Sequence, residues 1–406
     1  MPEFILNAGV ELPFILILLA LLGFRQKVNP RARLLIRAPL EKVFALVDLH
    51  HGKVQAWSRT TVTSELLDEA RQIFRMTYVT TLSTGTQQKS QAHFRVAERR
   101  SPTYLELHRE GLEGKSLNNE LLKIVTETEA GPDGTWLTLK YEWGPRPLVA
   151  QILARADLWS GAYRLKGLAE TGKPDETTHV WISAAVAGVT GMISLMAFAM
   201  MTSWLISGLL VVALAVHEFG HLLAYRLIGQ PWGRMIFLPF LGALAMPRLP
   251  YETQAQAVFA ALMGPGFSLL LAFAITLPSM LGVVLPPWLV TSGVVVIGLN
   301  LFNLLPVEPL DGGVALRSVL AKVMGAHARF GLLSIGLVIL ASGFYFEQVV
   351  LLVFGGISIL ANLRPRIIDY GLTPLSFPGV LLSTFCFVAT VAVYFMMLAY
   401  LLGVFR

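Results

Sequence analysis

Long apolar runs occupy both ends of this 406-residue chain, and a polar stretch lies between them. A helix of about 20 apolar residues is long enough to cross the ~30 Å hydrocarbon layer of a membrane. The pattern therefore predicts about eight spans. The runs cover residues 4–24, 180–201, 204–228, 254–282, 287–306, 329–345, 347–362 and 376–403. The two short runs beside Glu347 also fit one re-entrant hairpin.

The polar stretch has a different periodicity, which predicts a mixed α and β domain over residues 31–172. A short strand at 34–38 precedes a helix at 39–47, because Pro39 suits a first helical turn and apolar residues follow at helical spacing. A long helical pattern at 147–170 closes the domain. Between the helices, alternating runs rich in β-branched and aromatic residues predict an antiparallel meander at 60–66, 72–80, 91–97, 103–108, 121–128 and 135–143.

Charge separates the same regions. Between residues 25 and 178 lie 23 of the 32 Lys and Arg residues and 18 of the 26 Asp and Glu residues, whereas only 15 charged residues follow from residue 179 onward. With 54% hydrophobic residues and a mean hydropathy of +0.62, the composition excludes a simple soluble enzyme. We expect no nucleic-acid partner, because the net charge of +6 is explained by basic residues flanking membrane spans.

The distribution of basic residues also predicts an orientation. We interpret residues 1–27 as an uncleaved anchor, since no Lys or Arg precedes the first run and no small-x-small cleavage site follows it. Basic residues cluster directly after it, which places the polar domain in the cytoplasm and near anionic lipid headgroups. Alternating the sides from there puts eight later basic residues in cytoplasmic segments: Arg226, Arg234, Arg248, Arg317, Lys322, Arg329, Arg364 and Arg366.

The most informative residues are His217, Glu218 and His221, inside the apolar run 204–228. Residues four apart share a helix face, so both imidazoles can bind one metal ion, and Glu218 can accept a proton from water beside it. Charged and imidazole side chains are costly in a membrane helix, which makes these residues functional candidates rather than structural histidines.

A catalytic zinc ion needs a third protein ligand. Asp311 follows the segment 303–310, in which Pro306 and Pro309 prevent a regular helix. By the predicted topology, Asp311 and the two histidines lie towards the cytoplasmic ends of their helices, at comparable depth. The short apolar segment 235–246 is expected to be a loop or hairpin that dips into the membrane.

These motifs resemble those of the site-2 protease family of intramembrane zinc metalloproteases. His217, Glu218 and His221 match its first motif, and Asn303, Pro306, Leu310, Asp311 and Gly312 match its second. Gly264, Pro265 and Gly266 also look like the family's Gly-Pro helix. Glu308 departs from the pattern, which has a second proline there; it could tune the metal site, pair with an arginine, or face water, and water is the default expectation.

The resemblance, over about residues 180–320 of a membrane domain at 179–406, implies hydrolysis of a peptide bond in or near a substrate's transmembrane segment. It implies one Zn²⁺ held by His217, His221 and Asp311, with Glu218 as the catalytic base. Asn303 is a candidate hydrogen-bond donor to the substrate backbone. The partners would be a transmembrane protein substrate and membrane lipid. The expected location is a multi-pass cell membrane protein, in a bacterial inner membrane, with its polar domain cytoplasmic.

The polar domain resembles the START-like (SRPBCC) helix-grip fold, in its order of strand, helix, about six strands and long helix, and in the opening residues 36–43. That resemblance implies an apolar ligand in a cavity between sheet and helix; a filled adaptor domain is an equally open alternative. The predicted fold class is thus a polytopic α-helical membrane protein with an inserted soluble α+β helix-grip domain.

Two other functions compete with the protease. A prenyl-protein-type peptidase also carries the two histidines and the glutamate, but Asp311 in its Leu-Asp-Gly context speaks against it. A ligand-sensing membrane protein with a structural or inactive zinc site remains the alternative, although Glu218 has no purpose in a purely structural site. The single cysteine, Cys386, is expected to be an inert buried thiol.

Overall fold

The computed structural model describes residues 25–57, 60–111, 121–240, 242–308, 310–363 and 372–404. These residues divide into two compact units, one up to Val186 and one from Ala187 onward. The predicted anchor helix at residues 4–24 lies outside the described residues.

The first unit is built on one antiparallel sheet. Its strands are β1 (Arg25–Val28), β2 (Arg31–Ile36), β3 (Val54–Trp57), β4 (Thr60–Asp68), β5 (Ile73–Thr81), β6 (Gln87–Arg100), β7 (Tyr104–Glu110), β8 (Leu121–Gly131) and β9 (Gly134–Pro147). The order is β1-β9-β8-β7-β6-β5-β4-β3, and β2 also pairs with β9. The six predicted meander strands appear as β4 to β9. The short strands β1 and β3 were not predicted, because four residues are too few to show a clear alternation.

Two helices cover the sheet. Helix α1 (Leu40–Val47) follows Pro39, as the sequence predicts, and α2 (Leu148–Thr171) ends at Gly172, which has a φ of 75°. Side chains of α2, including Leu158, Ala162 and Leu165, pack directly against Leu137 and Leu139 of β9. A second apolar cluster lies under α1, around Phe44, Phe74 and Phe94. Where α2 contacts β9, the space between helix and sheet is therefore filled with side chains.

The remaining helices are apolar except α7, which carries three charged residues. They are α3 (Thr178–Ala199), α4 (Trp204–Leu227), α5 (Gln254–Met280), α6 (Pro287–Asn303), α7 (Asp311–Met324), α8 (Ala328–Tyr345), α9 (Val349–Leu363) and α10 (Phe377–Leu401), and a 3-10 turn joins α7 to α8. By length and composition, five of the described helices can cross a membrane: α3, α4, α5, α8 and α10. Helix α6 and the apolar part of α9 are shorter. The chain is a multi-pass membrane protein; the number of spans remains a prediction.

Two predictions from the sequence concern the second unit: the conformation of the segment 235–246 and the burial of Cys386. The segment predicted as a loop or hairpin is a two-stranded antiparallel hairpin of β10 (Arg234–Leu238) and β11 (Gly242–Met246). The expectation that Cys386 is buried was wrong, because its side chain is exposed on α10. An apolar run shows only that a helix surface avoids water. Lipid can surround such a surface as well as protein can, so an apolar run does not predict burial inside the protein.

Candidate metal centre

Helix α4 carries the two histidines one turn apart. Ser203 caps the start of the helix, since its side chain accepts a hydrogen bond from the Ile206 backbone N–H. The side chains of His217 and His221 are both buried, and their Nε2 atoms lie 3.2 Å apart. The helical spacing thus brings both nitrogen atoms to one point, as the sequence predicts for such a pair.

Asp311 reaches the same point from a distant part of the chain. Its Oδ2 atom lies 3.0 Å from Nε2 of His217 and 3.4 Å from Nε2 of His221. The chain leaves α6 after Asn303 and enters α7 at Asp311, and the described residues between them, 304–308 and 310, form no regular helix. Gly312 and Gly313 make this return possible, because a Cβ atom at either position would overlap the backbone of Leu304 or Val307.

The other ring nitrogens of the histidines are held by hydrogen bonds. Nδ1 of His217 lies 2.8 Å from Oδ1 of Asn300 on α6. Nδ1 of His221 lies 2.7 Å from the backbone carbonyl oxygen of Ala260 on α5. Both partners are acceptors, so each imidazole donates from Nδ1, and a neutral ring then carries its lone pair on Nε2, the nitrogen that faces Asp311.

Helix α5 packs directly against the imidazole rings of the two histidines. A Cβ atom at Gly264 would collide with Nε2 of His221 and would lie 2.9 Å from Nε2 of His217. Gly220 of α4 faces the backbone carbonyl of Met263 in the same close manner. Small residues at both positions let the two helix backbones approach, as in other membrane helix pairs.

Glu218 lies beside this group of atoms and is also buried. A carboxylate oxygen of Glu218 and one nitrogen of each histidine all lie within 4.8 Å of one another. The backbone N–H of Ala245 on β11 donates a hydrogen bond to the Glu218 carboxylate. The Tyr225 hydroxyl, one turn beyond His221, donates a hydrogen bond to the Ala245 carbonyl at 3.3 Å. Both backbone groups of Ala245 are therefore bound by side chains of α4.

The chemistry of these side chains fits a zinc ion. Two Nε2 lone pairs and Asp311 Oδ2 converge at 3.0 to 3.4 Å, and within the described part of the chain Oδ2 is buried without a hydrogen-bond donor. Three such acceptors repel each other unless a cation lies between them. Ligand atoms bound at about 2.0–2.1 Å to a tetrahedral zinc ion are about 3.3 Å apart, which matches the observed separations.

Two further residues singled out by the sequence lie at the end of α6 and in the segment that follows it. Asn303 ends α6, and its side-chain Nδ2 donates to the carbonyl of Leu299 at 3.2 Å. The default expectation that Glu308 faces water was wrong, because its side chain is only 6% exposed and lies 3.1 Å from the guanidinium of Arg317. Residues 304–308 pack closely against the start of α7, and the guanidinium of Arg317 on α7 compensates the charge of the Glu308 carboxylate.

Sequence reasoning missed three contributors to the site. Asn300 carries a usable signal, since a buried amide in an apolar span is costly and marks a candidate functional residue. The carbonyl of Ala260 and the N–H of Ala245 carry none, because every residue has these backbone groups. Only the arrangement of the helices shows which of them is close to the site.

Comparison with known proteins supports the resemblance to zinc metalloproteases. A zinc metalloprotease from Methanocaldococcus jannaschii is 30% identical over 120 residues, which is 29% of this chain and 34% of the relative. The chain thus matches about a third of the length of that curated relative. No family model matches the chain.

Three solved structures show low similarity to parts of the chain. The site-2 protease from Methanocaldococcus jannaschii has 20% identity, covers 46% of this chain and 91% of its own, and gives a TM-score of 0.31. The di-domain aromatase/cyclase StfQ of steffimycin biosynthesis has 12% identity, with coverages of 36% and 51% and a TM-score of 0.27. An AHSA1-like protein from Aeromonas hydrophila has 15% identity, with coverages of 35% and 90% and a TM-score of 0.25. TM-scores this low do not by themselves establish a shared fold. The chain resembles site-2 proteases, and its solved neighbours include START-like proteins.

Proposed function

We propose that this protein is an intramembrane zinc metalloprotease that hydrolyses a peptide bond in or near a transmembrane segment of a membrane-protein substrate. The observation that carries the proposal is the convergence of the Nε2 atoms of His217 and His221 with Oδ2 of Asp311 within 3.4 Å of one another. These three residues would hold one zinc ion. The 30% identity to a zinc metalloprotease over 120 residues supports the same conclusion.

The proposed roles follow from where each group lies. A zinc ion held by His217, His221 and Asp311 would supply a Lewis acid and would lower the pKa of a water molecule to near neutral. Glu218 takes the proton from the attacking water, and its carboxylate then returns that proton to the leaving amine. The contact from the Ala245 N–H fixes the carboxylate beside the metal ligands, and burial keeps bulk water away from it. Water is consumed, and a new carboxyl group and a new amine are released.

Asn303 is proposed to bind the substrate backbone. It lies at the C-terminal end of α6, where the chain stops being helical before the segment that leads to Asp311. A substrate helix must be locally unwound before a carbonyl becomes accessible, and an unwound backbone exposes groups that an amide can bind. One bond to Leu299 uses only one of the two Nδ2 hydrogens, which leaves the second hydrogen and Oδ1 for a substrate.

The soluble domain, residues 31–172, is proposed to regulate access to the site by binding an apolar ligand or the substrate's cytoplasmic tail. An apolar groove of about 450 Å³ supports a ligand, and its lining includes Ile152, Trp159 and Tyr163 of α2 and Ile182 of α3. The positive-inside pattern supports a cytoplasmic location for this domain, and the metal site would open to the same side. We propose the inner membrane of a bacterium as its location.

The test is cleavage of a single-span model substrate by purified protein in lipid nanodiscs. Wild type should cleave it, and Glu218→Gln should retain zinc but lose at least about 100-fold in rate, the lower range for a general acid–base group. His217→Ala and Asp311→Ala should lose zinc. Glu347→Gln changes the same charge at an exposed turn and serves as the control. Substantial proteolysis by Glu218→Gln would exclude this mechanism; zinc binding without any wild-type cleavage would favour the ligand-sensing alternative.

A further inference from the structure

We infer that Asn300 is a positioning residue that sets the tautomer of His217 and so prepares its Nε2 atom for the metal ion. The inference rests on the proposed metal site and adds to it a residue outside both sequence motifs. It follows from two hydrogen bonds of one buried amide, whose orientation is determined by its surroundings.

The orientation of the Asn300 amide comes from its own helix. Its side-chain nitrogen lies 2.8 Å from the backbone carbonyl oxygen of Val296, one turn earlier on α6. A carbonyl can only accept, so the amide NH₂ group must face Val296 and Oδ1 must face the other way. The reversed amide would bring two acceptor oxygens together in a fully buried position.

The orientation of the Asn300 amide then determines which ring nitrogen of His217 carries the proton. Oδ1 lies 2.8 Å from Nδ1 of His217, and an amide oxygen cannot donate. The hydrogen bond therefore requires the hydrogen atom on Nδ1, which in the neutral ring leaves a lone pair on Nε2, 3.0 Å from Asp311. Neutral histidine in water favours the opposite tautomer, with the hydrogen on Nε2, so Asn300 works against the intrinsic preference.

Of the two Nδ1 partners of the histidines, Asn300 is the one that a side-chain substitution can remove. His221 is oriented in the same way by the Ala260 backbone carbonyl, which persists in any side-chain variant. Asn300 has 0% exposure, so water does not readily take its place. Without its Oδ1 atom, the His217 ring is free to rotate or to place its hydrogen on Nε2, and either change competes with metal binding.

The chain contains a matched control for this residue. Asn362 on α9 is also buried in an apolar helix, and its Nδ2 atom donates to the Ser358 carbonyl one turn earlier at 2.8 Å. It has the same internal hydrogen bond as Asn300 and is not a partner of His217. A comparison of alanine variants at the two positions separates loss of a buried amide from loss of the histidine partner.

The experiment measures zinc affinity of the full-length protein in nanodiscs by competition with a chromophoric chelator, together with thermal unfolding of the metal-free form. Asn300→Ala should bind zinc about 10- to 100-fold more weakly than wild type, the range found for lost partners of metal-bound histidines. Asn300→Asp, which keeps an acceptor oxygen for Nδ1, should stay within a few-fold of wild type. Asn362→Ala should bind like wild type.

Three results would overturn the inference: unchanged affinity in Asn300→Ala, equal loss in Asn362→Ala, or failure of Asn300→Asp to restore binding in a protein whose metal-free form unfolds at the wild-type temperature. None of them bears on the proteolytic activity of the wild type. Conversely, absence of wild-type cleavage would remove the proposed protease while leaving the affinity series interpretable.

Discussion

Gly264 on α5 faces the Nε2 atom of His221 so closely that a single methyl group does not fit between them. The glycine thus shapes the site without contributing a side chain. We predict that Gly264→Ala displaces the histidine rings and lowers zinc affinity by at least about tenfold, which corresponds to about 1.4 kcal/mol. Zinc titration of the purified protein measures this loss.

Gly266→Ala is the control for that variant. It lies two residues further along the same helix, and a Cβ atom there meets nothing within 4 Å. This variant should bind zinc normally, because the added methyl group meets no other atom. It should be at least as stable as wild type, because alanine within a helix is more stabilising than glycine by roughly 0.5–1 kcal/mol. Equal zinc affinity in the two variants would contradict the close approach at Gly264.

The ion pair between Glu308 and Arg317 should stabilise the segment that leads to Asp311. Glu308 is almost fully buried, and Arg317→Gln would leave its carboxylate without this guanidinium. Removing one partner of a buried pair costs about 3–5 kcal/mol, and the partial exposure of Arg317 places the expected loss near the lower end of that range. Thermal unfolding in detergent measures it. Lys322→Gln changes the same charge at an exposed position of α7 and should have little effect.

In the soluble unit, Glu106 should make stability depend on pH. Burial raises the pKa of this carboxyl, but hydrogen bonds from Lys123, Tyr104 and His108 outweigh burial and lower it from 4.5 to about 2. A carboxyl whose pKa is lower in the folded protein stabilises the fold above about pH 4.5 and loses that contribution as the pH falls towards 2.

The variant Glu106→Gln should therefore be less stable than wild type at neutral pH, and the difference should shrink between pH 4.5 and 2. Denaturant unfolding followed by the β-sheet circular dichroism signal gives this comparison. Glu129→Gln, at a side chain that is 73% exposed, controls for the change in net charge. A difference that does not vary with pH would show that the hydrogen bonds to Glu106 do not stabilise its ionised form.

The groove beside α2 should be the place where the soluble domain binds an apolar ligand. Ala185 of α3 lines it, and Ala185→Trp would place an indole ring inside this groove of about 450 Å³. We expect this variant to bind a fluorescent fatty acid about tenfold or more weakly than wild type, a loss of about 1.4 kcal/mol. Ala184→Trp adds the same side chain one residue away, outside the groove lining, and should bind normally. Normal binding by Ala185→Trp would exclude the groove as the ligand site.

Much of the architecture follows from short-range patterns. Alternating residues fix β4 to β9, because a strand places successive side chains on opposite faces, and apolar runs fix α3, α4, α5, α8 and α10, because a membrane helix must be apolar over about 20 residues. The four-residue spacing of His217 and His221 likewise fixes their common face. These features depend on neighbours along the chain, so the sequence alone is sufficient.

Contacts between distant segments depended on tertiary structure. No spacing places Asn300 at His217, Gly264 above His221, or the Ala245 N–H at Glu218, since each contact joins different helices or a helix and a hairpin. The burial of Glu308 and the exposure of Cys386 were misjudged for the same reason. Residue type and local periodicity determine which interactions a side chain can make. The packing of the helices determines which atoms it contacts.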